Sequence, residues 1–304
     1  MSARSISAEL VAALKRLRLG GLLPTLPDRF TLAEKDDTPY EDLLLMLLTD
    51  EISRRDSTAS IRRADQAGLD PDMVLERWDK SAKVTYDRRL MSELVSLRFV
   101  ESHRNAVVLG PVGVGKTFLA NALGHLCCRA GFNVRMLRAD ALLRLLKQSR
   151  MDNSRDAVMT DLATVDVLII DDFALEPMSR EESRDIYQLF VERNARLSTV
   201  VTSNRDTAEW IAAFDDALLA QSAVDRFKNN AFDLVVDGES YRSRLKPNIE
   251  KLGPPPSAPV KKVPTIGRRR FTNAVTSGFA SGGSTPPAAH AIKRAVVDRF
   301  HLAP

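Results

Sequence analysis

Eight residues constrain this chain more than all the others: Gly110-Pro-Val-Gly113-Val-Gly115-Lys116-Thr117, placed between the apolar run Asn105-Ala-Val-Val-Leu109 and a helical pattern. A G-x-x-x-x-G-K-[ST] loop joining a strand to a helix points successive backbone N–H groups and a helix N-terminus at one spot, which is how a protein cradles phosphate. The glycines let the main chain close on the phosphates, Lys116 reaches the terminal ones, and the Thr117 hydroxyl suits Mg2+. The run Gly110, Pro111, Val112, Gly113, Val114, Gly115, Lys116, Thr117 and Phe118 is therefore expected to hold ATP.

The pattern around the loop agrees with that reading. From about Arg104 onward, short β-branched runs alternate with helical stretches, the signature of a parallel sheet with helices on both faces. Strands are expected at 105–109, 133–137, 165–170, 198–202 and 232–236. The intervening helices fall at 116–130, 140–149, 155–164 and 179–196, with a pair between 207 and 230. The fold class is α/β, a P-loop NTPase with a five-stranded parallel sheet, preceded by a small all-α domain and followed by a basic tail.

Two strand ends carry further chemistry. The apolar run Val167-Leu-Ile-Ile170 ends in Asp171-Asp172, fifty-five residues after Lys116. A carboxylate at the tip of a neighbouring strand anchors the Mg2+ shell, so Asp171 joins Thr117 as a metal ligand, and Asp172 is placed to orient or deprotonate an attacking water. Thr199-Val-Val-Thr202 runs into Ser203-Asn204, and the Asn204 amide at the tip of a strand between the two phosphate-contacting strands can bind the water or the terminal phosphate. Later, Arg226 in Val-Asp-Arg-Phe and Arg242 in Ser-Tyr-Arg are candidates to stabilise charge developing on the transferring phosphate, from a neighbouring subunit or a small lid. Asp172, Asn204, Arg226 and Arg242 make up the catalytic set.

Outside this region the sequence divides further. Residues 1–75 read as a helical unit, with amphipathic segments at 7–19 and 42–55. Its pairs Arg54-Arg55 and Arg62-Arg63 either grip phosphates or solvate a helix. Residues 76–252 form the nucleotide-binding domain. Residues 253–304 hold eight of the fifteen prolines and eight basic side chains against the single acid Asp298, a composition expected to be disordered. This tail carries a charge of +7, which leaves −3 on residues 1–252. The body thus has no net attraction for nucleic acid and would need local patches, whereas the tail is either a solvated extension or a source of nonspecific phosphate contacts. The only cysteines, Cys127 and Cys128, are adjacent, which suits neither a disulfide framework nor a metal site. No run is long and apolar enough for a membrane helix and the start lacks the apolar core of a signal peptide, so a cytoplasmic chain with no membrane partner is expected.

With these residues in hand, the chain resembles the IstB-like AAA+ ATPases, helper proteins of bacterial insertion-sequence transposition related to the helicase loader DnaC and the initiator DnaA. The resemblance spans about residues 10–252. It rests on the phosphate loop, on Leu94-Val-Ser-Leu-Arg-Phe-Val100 before it and on Ala122-Leu-Gly-His-Leu-Cys-Cys-Arg-Ala-Gly-Phe132 after it. It rests also on Leu168-Ile-Ile-Asp-Asp-Phe173, on 198–204 and on Asp237-Gly-Glu-Ser-Tyr-Arg242. The resemblance implies an N-terminal helical domain for DNA or partner binding and ATP-dependent self-association into an oligomer on duplex DNA. It also implies assistance to a cognate transposase and hydrolysis of ATP to ADP and phosphate. It assigns Lys116 and Thr117 to nucleotide and Mg2+, Asp171 and Asp172 to Walker B, and Asn204 to sensor 1. Arg226 resembles the trans-acting finger and Arg242 resembles sensor 2. Ala174 stands where the family often has glycine, with little effect expected, and the basic tail has no counterpart in the pattern. The alternative within the fold is a DnaC-like replicative helicase loader. From other classes come a P-loop kinase, which the water-directed Asp172 and Asn204 argue against, and a nucleotide-gated structural DNA-binding protein.

Overall fold

A computed structural model describes residues 6–79 and 81–241; Arg242 and the tail 253–304 lie outside the described residues. The N-terminal segment is helical, as its amphipathic pattern requires. Helix α1 (Ala8–Arg16) begins where the Leu10 N–H donates to the Ser7 hydroxyl at 3.2 Å, and carries Glu9 in its first turn and Lys15 and Arg16 in its last, each complementing the helix dipole. Helix α2 (Leu26–Lys35) follows, with proline in its first turn.

Helix α3 (Tyr40–Ala67) is twice the length its apolar pattern predicts, running on through residues 56–61 to a left-handed cap at Gly68, φ +77°. Its second half is polar on the surface yet buries Ala64 and Ala67 in the same core as the nucleotide-binding sheet, and that packing holds it helical. Three of the four paired arginines serve this helix. Arg54 and Arg55 both donate to Glu51, at 2.8 and 2.7 Å, Arg55 also reaches the Arg18 carbonyl, and the Arg63 Nε donates to the Cys128 carbonyl at 2.9 Å. The described residues accordingly fall within one compact unit.

Glu51 is almost wholly buried, and its two arginines hold its carboxyl down to about 2. A group depressed in the folded state stabilises fully above its unfolded value near 4.5, and that contribution is lost as pH falls toward 2. Melts followed by circular dichroism should show the parent chain losing more of its thermal midpoint between pH 5 and pH 2.5 than Glu51→Gln, which starts several degrees lower at pH 7. Parallel profiles for the two proteins would remove this pair as an acid-sensitive tie.

A short strand β1 (Val84–Thr85) and helices α4 (Arg88–Val95) and α5 (Arg98–Glu101) lead into the sheet. It is built from β2 (Asn105–Leu109), β3 (Val134–Arg138), β4 (Val167–Asp171), β5 (Ser198–Ser203) and β6 (Ala231–Val235). The helices between them are α6 (Lys116–Arg129), α7 (Ala139–Met151), α8 (Arg155–Thr164), α9 (Arg180–Arg193) and α10 (Ala217–Lys228). All pairings are parallel and the order is β3-β4-β5-β2-β6, so β5 lies between the loop-bearing β2 and the acid-bearing β4. This is the expected five-stranded α/β NTPase sheet, with strand bounds shifted by no more than two residues. Alternate residues of each strand face opposite ways. Ala106, Val108, Val167, Ile169 and Val200 meet α3–α6, while Val107, Leu109, Leu168, Ile170 and Val201 meet α7–α10. Burial on both faces explains the nearly continuous apolar strands.

Buried Asn105 fixes where β2 sits. Its side chain donates to the Phe227 carbonyl at 3.2 Å and accepts from the Thr199 N–H at 3.0 Å, tying the strand's first residue to α10 and β5. A last strand, β7 (Asp237–Gly238), pairs antiparallel with β1. Among the described residues no helix is long and apolar enough to cross a membrane.

Candidate functional site

The phosphate loop leaves β2 at the C-terminal edge of the sheet and enters α6 through Gly115. Its glycines are steric necessities. A Cβ on Gly113 (φ +89°) would lie 2.1 Å from the Ser240 hydroxyl, and one on Gly115 (φ +102°) would lie 2.9 Å from the Trp78 ring. Gly115 caps α6 without a side-chain acceptor, which leaves the first N–H groups of the helix directed into the loop. Lys116 is almost wholly buried, and its Nζ donates to the Gly110 and Pro111 carbonyls at 2.8 and 2.9 Å, inside the curve of the loop.

Thr117 meets the acid strand. Its Oγ1 lies 3.0 Å from each Asp171 carboxylate oxygen, and the Thr202 hydroxyl on β5 donates to Asp171 at 2.6 Å. Burial pushes the Asp171 carboxyl up from its ordinary value and the Asp172 charge adds to this, against the hydrogen bonds from Thr202 and Thr117 and the charge of Arg138. A hydroxyl beside one buried carboxylate is a hard-oxygen donor pair. Among the described residues no cluster of three or more His, Cys, Asp or Glu exists, so a cation here would complete its shell with phosphate oxygens and water, the mode Mg2+ adopts. The residues present fit the nucleotide and its metal.

Beyond Asp171 the chain turns sharply. Asp172 has φ +56° and its N–H donates to the Thr202 hydroxyl at 2.9 Å; Ala174 also has φ +56°. A methyl-bearing residue in that region costs on the order of 1 kcal/mol, so the alanine in place of glycine is a strained position. Ser203 pins the turn: its hydroxyl donates to the Phe173 carbonyl at 2.9 Å and accepts from the Arg205 N–H and from the buried Trp210 indole at 3.1 and 3.2 Å. Arg205 also donates to the Leu175 carbonyl at 3.1 Å. These bonds lock the acid-bearing turn to the segment that carries Asn204.

Asp172 and Asn204 line the same cleft of about 490 Å3 as residues 112–118. Its rim includes residues that sequence reasoning missed, among them Met73, Arg77, Trp78 and Tyr241. Trp78 packs against Phe118, with ring centroids 5.3 Å apart, and presents a flat apolar surface beside the loop. A lone tryptophan just upstream of the first sheet strand, in a chain with only two, was the available signal. Tyr241 is held by its N–H donating to the Gly113 carbonyl at 2.8 Å, and Arg242 is the next residue in the chain. Arg226 is not brought to this cleft. It is exposed on α10, donating to the Tyr187 hydroxyl at 2.9 Å with its guanidinium carbon 5.7 Å from the Tyr187 ring centroid.

Comparison with known proteins gives a consistent picture. A family model described as IstB-like ATP binding protein matches residues 12–248. An ATP-binding protein of an insertion sequence from Mycobacterium tuberculosis is 33% identical over 236 residues, covering 77% of this chain and 94% of that protein. The IS21 ATP-binding protein from Pseudomonas aeruginosa is 34% identical over 238 residues, covering 78% of this chain and 90% of its own. Among solved structures, the DnaC helicase loader aligns at 21% identity with a TM-score of 0.43, over 48% of this chain and 85% of that one.

Proposed function

This chain belongs to the IstB-like ATP-binding protein family, and from that premise we propose that it is an ATP-hydrolysing helper of DNA transposition, assembling on duplex DNA and assisting a partner transposase. The observation that carries the reading is the meeting of four groups at one sheet edge: the Lys116 loop, the Thr117–Asp171 pair, Asp172 and Asn204.

The chemistry follows from that placement. The loop amides and Lys116 bind and orient the phosphates, and the Trp78–Phe118 surface offers a stacking partner for a planar base. Thr117 and Asp171 would hold Mg2+, which would supply charge neutralisation of the phosphates when bound. Asp172 accepts the proton of the attacking water, and the Asn204 amide orients that water or the γ-phosphate. Arg226, exposed and away from its own cleft, serves the site of a neighbouring copy, and Arg242, which lies outside the described residues, keeps the sensor 2 role that the family resemblance implies. Insertion-sequence relatives that carry ATP-binding names support the transposition role.

Steady-state ATP hydrolysis of the full chain alone, with duplex DNA and with single-stranded DNA tests the reading. Stimulation of at least severalfold by duplex is the expected result. Stimulation by single strands only would transfer the chain to a helicase-loading role, and no turnover under any condition would leave a nucleotide-gated binding protein.

A further inference from the structure

Thr202 places a hydroxyl in a layer of the sheet where packing alone would be met by valine. Side chains of a strand alternate between its two faces, so Asp171, two residues after Ile169 on β4, and Thr202, two residues after Val200 on β5, both point toward the layer that α6 covers. Thr202 is wholly buried and Asp171 nearly so. The residues beneath them, Val108, Ile169 and Val200, are apolar. Valine has the shape of threonine, so the hydroxyl is there for its polar partners rather than for the space it fills.

Both partners belong to the nucleotide site. The Thr202 Oγ1 accepts from the Asp172 N–H at 2.9 Å, which commits its single proton to Asp171 Oδ1 at 2.6 Å, the length of a charge-assisted hydrogen bond. Thr117 is bonded differently. Its Oγ1 stands 3.0 Å from each Asp171 oxygen and favours neither, and to serve as a metal ligand it must present a lone pair and turn its proton away from the carboxylate. The Thr202 bond survives that exchange and keeps Oδ1 occupied. Oδ2, whose hydrogen-bond partner among the described residues is the Thr117 hydroxyl, is then the oxygen left open beside Thr117.

We propose that Thr202 is a positioning residue for the metal site: its hydroxyl holds Asp171 Oδ1 so that Oδ2 faces Thr117, and it ties the Asp172 main chain to the same carboxylate. The inference rests on the reading of Thr117 and Asp171 as the Mg2+ pair and deepens it, because Thr202 acts through Asp171 and not on the cation. Groups that orient a metal ligand from behind typically contribute about 10- to 100-fold in metal affinity.

Binding of a fluorescent ATP analogue to the full chain, first in EDTA and then with rising Mg2+, tests this without turnover. In the parent chain Mg2+ should tighten binding, with a definite half-saturating concentration. Thr202→Val should raise that concentration about tenfold or more, while affinity for the analogue in EDTA stays within about threefold because the phosphate loop is untouched. Thr202→Ser, which keeps the hydroxyl, should stay within about threefold of the parent on both measures. The Phe173 N–H donates to the Thr202 carbonyl at 2.8 Å, a main-chain bond that each substitution leaves in place. If Thr202→Val does not fold, Thr202→Ser and Thr202→Ala both lack the methyl and differ by the hydroxyl alone, and the same separation of about tenfold in Mg2+ is expected between them. A merely structural role would weaken binding in EDTA and leave the Mg2+ requirement where it was. Equal Mg2+ requirements with and without the hydroxyl, or a serine variant as impaired as valine, would overturn the role of Thr202. A parent chain whose binding ignores Mg2+ would overturn the Thr117–Asp171 site and this inference with it. Because hydrolysis is not read, failure of the turnover proposal leaves this test intact.

Discussion

Asp172→Asn should bind ATP as tightly as the parent chain while hydrolysing it about a hundred- to ten-thousandfold more slowly, the range a positioned general base contributes. The substitution is nearly isosteric and removes only the capacity to accept a proton. It is also compatible with the backbone, since Asp172 sits at φ +56° and asparagine is among the residues that enter the left-handed region most readily. The hydrogen bond from its N–H to the Thr202 hydroxyl uses the main chain and persists. Nucleotide titration and phosphate release measured on one preparation separate binding from chemistry. Unchanged turnover would remove Asp172 as the base.

Lys116→Ala should show the complementary behaviour, with affinity for ATP lowered by about a hundredfold or more. The Lys116 ammonium is buried within the curve of the loop, so bonds from it to phosphate oxygens would form away from competing water. Charge-assisted hydrogen bonds are worth about 1.5–3 kcal/mol each, and losing two converts to roughly a hundred- to ten-thousandfold in a dissociation constant. Alanine is well tolerated at a helix start, so thermal stability without nucleotide should change little. Retained micromolar binding in Lys116→Ala would mean that the loop amides alone hold the phosphates.

The two variants probe parts of the site that were legible to different degrees. The phosphate loop and the strands were readable because burial on both faces leaves nearly uninterrupted apolar runs, which stop where the candidate site residues begin, as at Ile170-Asp171. The position of β5 was readable for the same reason. Helix α3 was underestimated because its second half is held by Ala64 and Ala67, small residues that leave no visible stripe in the sequence. Trp78 was missed because its place on the cleft rim depends on packing against Phe118, forty residues away. Ser203 was invisible as well, since a serine at a strand end says nothing of the Phe173 carbonyl and Trp210 indole that converge on it. For Arg226 the sequence supplied the residue but not its direction, and its Tyr187 partner comes from a different helix.

The strand order has a consequence for how the chain becomes active. The phosphate loop hangs from β2, whose two neighbours, β5 and β6, are synthesised about a hundred residues later. No nascent fragment ending before β5 can contain the cleft, and parallel pairings this distant in sequence form slowly. Asn105 then works as an alignment key. A slip of one residue would turn every apolar side chain of β2 to the wrong layer, and a slip of two would carry this amide away from both Thr199 and Phe227. ATP affinity is thus a stringent assay of correct sheet assembly, and a ribosome-bound intermediate should acquire it in a single step, only after β6 has emerged.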